Sequence, residues 1–239
     1  MYEIWENIWK HEKISEWNRL CQIIFEVLQR ELKSFEGKRI IEAGCGSGRV
    51  SLRLAQHGAD VYLLDICKEA VKYAKNISQK KKLNANVNII RASIFNIPFR
   101  DDCFDIVWNA GVLEHFLSYE QLYALKEMKR TCKNGGSIII MVPYSKAVFY
   151  RVGKFYQERR RRWKWGYERP FKTLRQLYNK AAIHLKREFN VGFEEQLAFI
   201  FCIPGMGRMA PLLRKLKRPL FILGIGGYLL IAIGIKLKT

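Results

Sequence analysis

Three glycines alternate in the run Ile41-Glu42-Ala43-Gly44-Cys45-Gly46-Ser47-Gly48. Glycine admits positive φ and lets a bound molecule touch the backbone. The spacing is not that of a dinucleotide fingerprint, in which two residues separate the second and third glycines. No Lys-Ser/Thr pair follows, as a phosphate loop requires. NAD and nucleoside triphosphates are therefore disfavoured. Glu42 precedes the glycines, where a carboxylate attracts a ligand ammonium. Asp65 lies 17 residues beyond Gly48, where an acid accepts hydrogen bonds from both hydroxyls of a ribose. The pair suits a ligand with an amino-acid end and a ribose end. Further along, His115 in Val112-Leu113-Glu114-His115 is a candidate general base. It can equally hydrogen-bond the local loop, with Glu114, and cap the helix that follows. Tyr144, Tyr150, Tyr156, Trp163, Trp165 and Tyr167 flank the arginines at 159–162. This run reads either as an aromatic pocket beside an anion-binding group or as a solvated basic helix over packed rings.

The elements that must position these residues follow from periodicity. Residues 15–33 place Trp17, Leu20, Cys21, Ile24, Phe25, Leu28 and Leu32 at helical spacing, with Ser15 as the expected N-cap. Ile4, Trp5, Ile8 and Trp9 predict a short amphipathic helix ahead of it. Strands are expected at 38–43, 60–65, 87–92, 104–109 and 137–142, and helices at 49–57, 68–82 and 118–132. The last of these helices is expected to stop at Asn134-Gly135-Gly136. Alternating strands and helices read as βαβ units with a parallel sheet. Right-handed crossovers then gather the functional loops at the strand C-termini. Residues 173–182 predict a helix and 184–191 a strand.

Among the 239 residues, Lys and Arg number 42 against 22 Asp and Glu. Residues 151–239 hold 20 of the basic and 5 of the acidic side chains, so the second part of the chain carries most of the positive field. Such a field favours nucleic acid, an anionic membrane surface or an anionic substrate. Six cysteines stand singly with no CxxC pair, which argues against a zinc ribbon or a disulfide scaffold and for a reducing compartment. The acidic, interrupted N-terminus is not a signal peptide. Residues 220–235 hold no charge. As a helix they would span roughly 24 Å, short of a bilayer core of about 30 Å. A strand over 228–237, buried on both faces, is the preferred reading. Peripheral or spanning membrane insertion are the alternatives.

The ExGCGxG loop, the acid ending the second strand, the Asn96-Ile97-Pro98-Phe99 segment, Val112–His115 and the Lys133-to-Pro143 run occur in one order. In these motifs the chain resembles the class I S-adenosylmethionine-dependent methyltransferases, in the broad small-molecule group that includes ubiquinone and sterol methyltransferases. The resemblance covers residues 38–143. It implies an α/β, Rossmann-like fold whose seven-stranded, mostly parallel sheet carries helices on both faces and closes with a C-terminal antiparallel strand. It implies S-adenosyl-L-methionine as cofactor. Gly44, Cys45, Gly46 and Gly48 would lie against its methionine and ribose, Glu42 would hold the amine, and Asp65 the ribose hydroxyls. Ile66 would rest against the adenine and Asn109 near the methionine. Ser93 stands where the family often has Asp, so Ser93 or the Ile94 backbone would meet the adenine amino group. Gly111 replaces the first acid of the ExxEH pattern with which some relatives bind a divalent ion, so no metal is expected. Residues 144–170 fall where the family places its substrate cover, with Tyr144, Tyr150, Tyr156, Trp165 and Tyr167 as expected substrate contacts.

The expected organisation is N-terminal helices (1–37), a cofactor-binding core (38–143), a cap and following helix (144–183), and C-terminal strands with a basic amphipathic segment (184–239). The expected activity is methyl transfer to a small-molecule acceptor, of lipid or quinone-like type, in the cytoplasm and at an anionic membrane surface. Base methylation is disfavoured, because neither an Asp/Asn-Pro-Pro-aromatic motif nor a Pro-Cys nucleophile follows the fourth strand. An RNA methyltransferase and a non-catalytic S-adenosylmethionine-binding adaptor are the alternatives.

Overall fold

The computed structural model describes residues 2–11, 17–83, 85–215, 219 and 224–238. Strands β1 (Arg39–Ala43), β2 (Asp60–Asp65), β3 (Val87–Arg91), β4 (Phe104–Ala110), β5 (Cys132–Pro143), β6 (His184–Val191) and β7 (Leu229–Ile235) form one sheet. Their order is β3-β2-β1-β4-β5-β7-β6. The first five run parallel, and β7 pairs antiparallel with both β5 and β6. The chain leaves β1 in one direction for β2 and β3, then returns to place β4 on its other side. That reversal opens a crevice at the strand C-termini beside β1, and the glycine run lies in it.

Strands buried on both faces read as continuous apolar runs, and β5 and β7 show why. In β7, Leu230 and Ala232 enter one core layer, while Leu229, Ile231 and Ile233 enter the other. In β5, Ile138, Ile140 and Val142 face the first layer, and Ile139 and Met141 the second. Helix α2 (Arg19–Leu32) covers the second layer with Cys21, Ile24, Phe25, Val27 and Leu28. Its N-cap is Asn18, whose side chain accepts the Cys21 amide at 2.9 Å; Ser15 lies outside the described residues. Helices α3 (Arg49–Gln56), α4 (Lys68–Lys80) and α5 (Ser118–Thr131) are the crossovers of the parallel half.

The structure departs from the sequence reading at one boundary. Helix α5 ends at Thr131, and Asn134-Gly135-Gly136 belong to β5 rather than to a turn. The Gly135 amide donates to the Lys236 carbonyl at 2.7 Å and the Lys236 amide to the Gly136 carbonyl at 3.1 Å. A partner 100 residues away in sequence thus draws the glycines into the sheet. The aromatic-arginine run contains a helix, α6 (Val148–Arg159), and is followed by α7 (Arg175–Lys180). Helix α6 packs on the C-terminal part. Phe149 joins the cluster of Phe193, Leu197, Ile200 and Leu213, supplied by α8 (Phe193–Leu197), the turn after it and α9 (Ala210–Lys215). The N-terminal helix α1 (Tyr2–His11) leaves α2 and lies on α4, where the Trp9 and Tyr73 rings are 5.6 Å apart.

Tyr178 of α7 locks the antiparallel edge. It is fully buried, and its hydroxyl lies 3.1 Å from the Ile138 carbonyl and 2.9 Å from that of Ala232, one on β5 and one on β7. Gly234 gives its ring room, since a Cβ there would come within 2.6 Å of Tyr178 and of Ile183. Tyr178→Phe should lower the unfolding free energy by about 1 kcal/mol. Gly234→Ala should cost more, about 1–3 kcal/mol from overpacking. Urea unfolding of the three proteins checks both the sizes and their order.

Candidate active site

The backbone turns sharply out of β1. Gly44 (φ 82) and Gly46 (φ 50) take left-handed conformations before α3 begins. A Cβ on Gly44 would sit 2.7 Å from Val112, and one on Gly46 would run into the Trp9 indole. The amides of Gly44 and Cys45 both donate to the Leu64 carbonyl, at 2.7 and 2.9 Å, which pins the loop to the end of β2. One residue further, Asp65 braces it again. Its Oδ2 accepts the Gly46 amide at 2.8 Å and its Oδ1 the Cys67 amide at 2.9 Å. Burial raises this carboxyl above its usual range; the two amide bonds oppose the shift and nearby Glu6 adds to it.

Glu42 is 7% exposed, and its Oε2 has no hydrogen-bond partner among the described residues. Burial pushes its carboxyl up to about 8, and Asp65 adds to the shift. A carboxyl kept dry with one oxygen unused invites a donor from a bound molecule.

The chain leaves β4 through Gly111 into a single helical turn, Leu113–His115. His115 is buried, and its Nδ1 lies 2.9 Å from the Tyr167 carbonyl. A carbonyl only accepts, so Nδ1 carries the proton, and in the neutral ring Nε2 keeps its lone pair. Burial holds His115 below its usual range, against the pull of that hydrogen bond. The ring is therefore neutral at pH 7, the state a general base needs.

Helix α1 closes the site. Its Glu6 carboxylate accepts the Lys68 and Glu69 amides at 2.8 and 3.2 Å. Cys67, at the N-cap of α4, supplies no side-chain cap, so α1 satisfies amides that α4 leaves open. Trp9 covers Gly46, and the Trp5 ring meets His115 edge-on at 5.0 Å and Trp165 at 6.1 Å.

A family model described as a methyltransferase domain matches residues 41–140. The chain is 36% identical over 124 residues to an uncharacterized protein of Methanocaldococcus jannaschii, covering 51% of this chain and 49% of that one. It is 27% identical over 152 residues to demethylmenaquinone methyltransferase of a Geobacillus strain, covering 59% and 62%. The chain thus spans about half to three fifths of these two relatives. The YcgJ protein of Bacillus subtilis shares the fold, with a TM-score of 0.62 at 16% identity over 91% of this chain and all of that one. Residues 41–140 thus match a methyltransferase domain, of the kind whose cofactor is S-adenosylmethionine.

The residues present fit that cofactor. The unpartnered Glu42 oxygen suits the methionine amine, whose positive charge would favour the ionised form of this carboxyl. Both Asp65 oxygens already hold the protein backbone, and each retains a second lone pair for a ribose hydroxyl. Ile66 is 51% exposed beside them, an apolar surface that suits a purine face. Cys45 and Gly48 lie within the same loop.

Other expected residues are placed differently. Ser93 makes a turn, its Oγ accepting the Phe95 amide at 3.2 Å, and the core buries the side chain of Ile94, whose backbone was the expected contact. Asn109 is wholly buried, its amide 3.5 Å from the Met128 sulfur of α5. Of the expected substrate contacts, Trp165 and Tyr167 reach the His115 side. Tyr144 packs at the entrance to β7, where a Cβ on Gly226 would strike its ring. Tyr150 is fully buried with its hydroxyl 2.5 Å from Glu168. Tyr156 lies beneath the Arg160 guanidinium. The sequence reading missed Trp5, Glu6, Trp9 and Glu168. The amphipathic spacing of α1 was visible; its resting place was not.

Glu42 and Glu114 are both held near 8 by burial. A carboxyl raised in the folded state stabilises fully below its unfolded pKa, and that stability is lost as pH rises through the folded value. The ligand-free protein should therefore lose thermal stability between about pH 4.5 and about pH 8. Glu42→Gln should flatten part of that decline. Melting curves of both proteins across the range check it.

Proposed function

We propose that this protein transfers the methyl group of S-adenosylmethionine to a small acceptor with an apolar body, of lipid or quinone-like type, at the cytoplasmic face of an anionic membrane. The observation that carries the reading is the neutral, buried His115, fixed by Tyr167 and flanked by Trp5 and Trp165 one turn beyond β4. The cofactor supplies an electrophilic methyl carbon on a sulfonium. The chain's own residues do the rest. Glu42 and Asp65 hold the two polar ends, and the glycine loop lets the ligand lie against the backbone. Helix α1 excludes water, which leaves alignment as the main catalytic contribution. His115 Nε2 takes the acceptor proton where the acceptor must lose one.

Two observations support the apolar acceptor and its membrane source. Relatives carry the names demethylmenaquinone methyltransferase and ubiquinone/menaquinone biosynthesis C-methyltransferase. Helix α6 exposes Val148, Val152 and Phe155, three residues on one helical face, and the C-terminal part that it packs against exposes Phe201, Met209 and Leu212. Exposed arginines at 159–162 and Arg208 surround them. An apolar ridge rimmed by cations suits an anionic bilayer surface. Part of the expected basic amphipathic segment within 184–239, at 216–218 and 220–223, lies outside the described residues. No helix among the described residues is long and apolar enough to cross a membrane.

Asp65→Ala removes the brace of the glycine loop and the ribose acceptor together. Its affinity for S-adenosylhomocysteine should fall at least about tenfold in calorimetry, about 1.4 kcal/mol. Unchanged affinity would overturn the assignment.

Methyl-labelled cofactor incubated with a cell extract should label the lipid fraction, and the protein should co-sediment with phosphatidylglycerol vesicles at low salt. Label in RNA would make the basic face a nucleic-acid groove. Cofactor binding without any label would favour the adaptor.

A further inference from the structure

One contact decides which nitrogen of His115 carries the proton. The Tyr167 carbonyl lies 2.9 Å from Nδ1. The Trp5 ring meets the imidazole edge-on, but a ring contact does not tell one nitrogen from the other. A carbonyl does, because it only accepts. The place of that carbonyl therefore sets the tautomer.

Residues 167–170 belong to no helix or strand, so the carbonyl must be held by what the segment touches. Two hydrogen bonds join the segment to the turn at Leu113–His115. One runs from His115 Nδ1 to the Tyr167 carbonyl, the other from the Arg169 amide to the Glu114 carbonyl at 2.7 Å. The turn has its own anchor on α5, where buried Gln121 donates to the Leu113 and Phe116 carbonyls, each at 3.1 Å. The segment is anchored by Glu168, between its two bonds. That buried side chain reaches α6, where its Oε2 accepts the Tyr150 hydroxyl at 2.5 Å and lies 3.7 Å from Arg151 Nη1.

Tyr150 is a fixed point. It is fully buried, and its ring lies 4.6 Å from that of Phe199, 4.9 Å from Tyr228 and 6.1 Å from Trp163. A ring so packed keeps its hydroxyl in place. Trp163 in turn donates its indole N–H to the Gly166 carbonyl at 2.9 Å, so Tyr150 also backs the start of the segment. A tyrosine that served packing alone would need no carboxylate partner, since a phenyl ring fills the same space. A hydroxyl bound to a carboxylate in a dry setting is a strong and directional link.

We propose that Tyr150, acting through Glu168, is a positioning residue for His115: its hydroxyl holds the segment whose Tyr167 carbonyl keeps the imidazole proton on Nδ1 and the lone pair on Nε2. The use of that lone pair as a base rests on the methyltransferase reading above; the tautomer does not.

The test reads the tautomer directly in the full chain, isotopically labelled at the histidine nitrogens, at neutral pH and without ligand. Nitrogen–proton correlation spectra distinguish N–H from lone-pair nitrogens, and the spectrum of His115→Gln identifies the His115 signals among the four histidines. The wild-type ring should carry its proton on Nδ1. In Tyr150→Phe the ratio of the Nδ1–H to the Nε2–H form should fall about three- to tenfold, the worth of one hydrogen bond. Tyr178→Phe loses a buried hydroxyl elsewhere in the fold and should leave the ratio unchanged, which separates positioning from general loosening. Glu168→Met should repeat the fall and serves if Tyr150→Phe fails to fold. Glu168→Gln, which still accepts from the hydroxyl, should retain most of the wild-type ratio. An unchanged ratio in folded Tyr150→Phe or Glu168→Met, or an equal fall in Tyr178→Phe, would overturn the proposal. Calorimetry with S-adenosylhomocysteine separates it from the methyltransferase reading. A tautomer that depends on Tyr150 in a protein that ignores S-adenosylhomocysteine would support the positioning role and overturn the methyltransferase. Tight S-adenosylhomocysteine binding with a tautomer indifferent to Tyr150 would do the reverse.

Discussion

The Asp65 carboxylate bridges two backbone amides that the sheet alone cannot satisfy. Gly46 approaches from the loop after β1, and Cys67 from the entry to α4. Both segments are turns at the open end of a parallel sheet, where amides have no strand partner. One side chain thus sets the curvature of the glycine loop and the start of the next helix. That loop leaves no space for a side chain at Gly44 or Gly46, because Val112 and Trp9 already pack against it there. A loop packed this closely needs such an internal brace. The cost is a partly desolvated carboxylate, which the two amide bonds offset.

Helix α1 depends on the same corner. Glu6 caps α4, Trp9 covers Gly46 and Trp5 meets His115. Helix α1 therefore touches the loop, the second helical crossover and the candidate base together. A covering element of this kind excludes water and strengthens each electrostatic contact beneath it. Burial underlies the neutral state of His115 and the high values at Glu42 and Glu114.

The positive charge of the second part of the chain divides into two roles. Arg151 and Lys154 turn inward, Arg151 beside Glu168 and Lys154 over the Trp163 ring. The arginines at 159–162 stay exposed next to the apolar face of α6. Inward cations act over a few ångströms in a dry setting, whereas outward ones act on whatever large anionic surface the protein meets.

Much of this was legible in the sequence. The alternation of short apolar runs with amphipathic helices determined the parallel half of the sheet, and β2 spans the residues that periodicity assigned. The double-sided apolar run near the C-terminus determined β7, because core layers cover both faces of the sheet there. The glycine run, Glu42 and Asp65 were recognisable because their residue types are constrained locally by backbone conformation and charge. Tertiary structure decided what local pattern cannot encode. Asn134-Gly135-Gly136 joined β5 because Lys236, remote in sequence, supplied hydrogen bonds. Asn109 turned into the core because α5 placed Met128 over it. The aromatic residues at 144–170 parted company, Tyr150 inward on the packed face of α6 and Tyr167 outward in the irregular segment after it. Glu114, Arg151 and Glu168 come from segments that no periodicity links, and only tertiary packing brings their charges together.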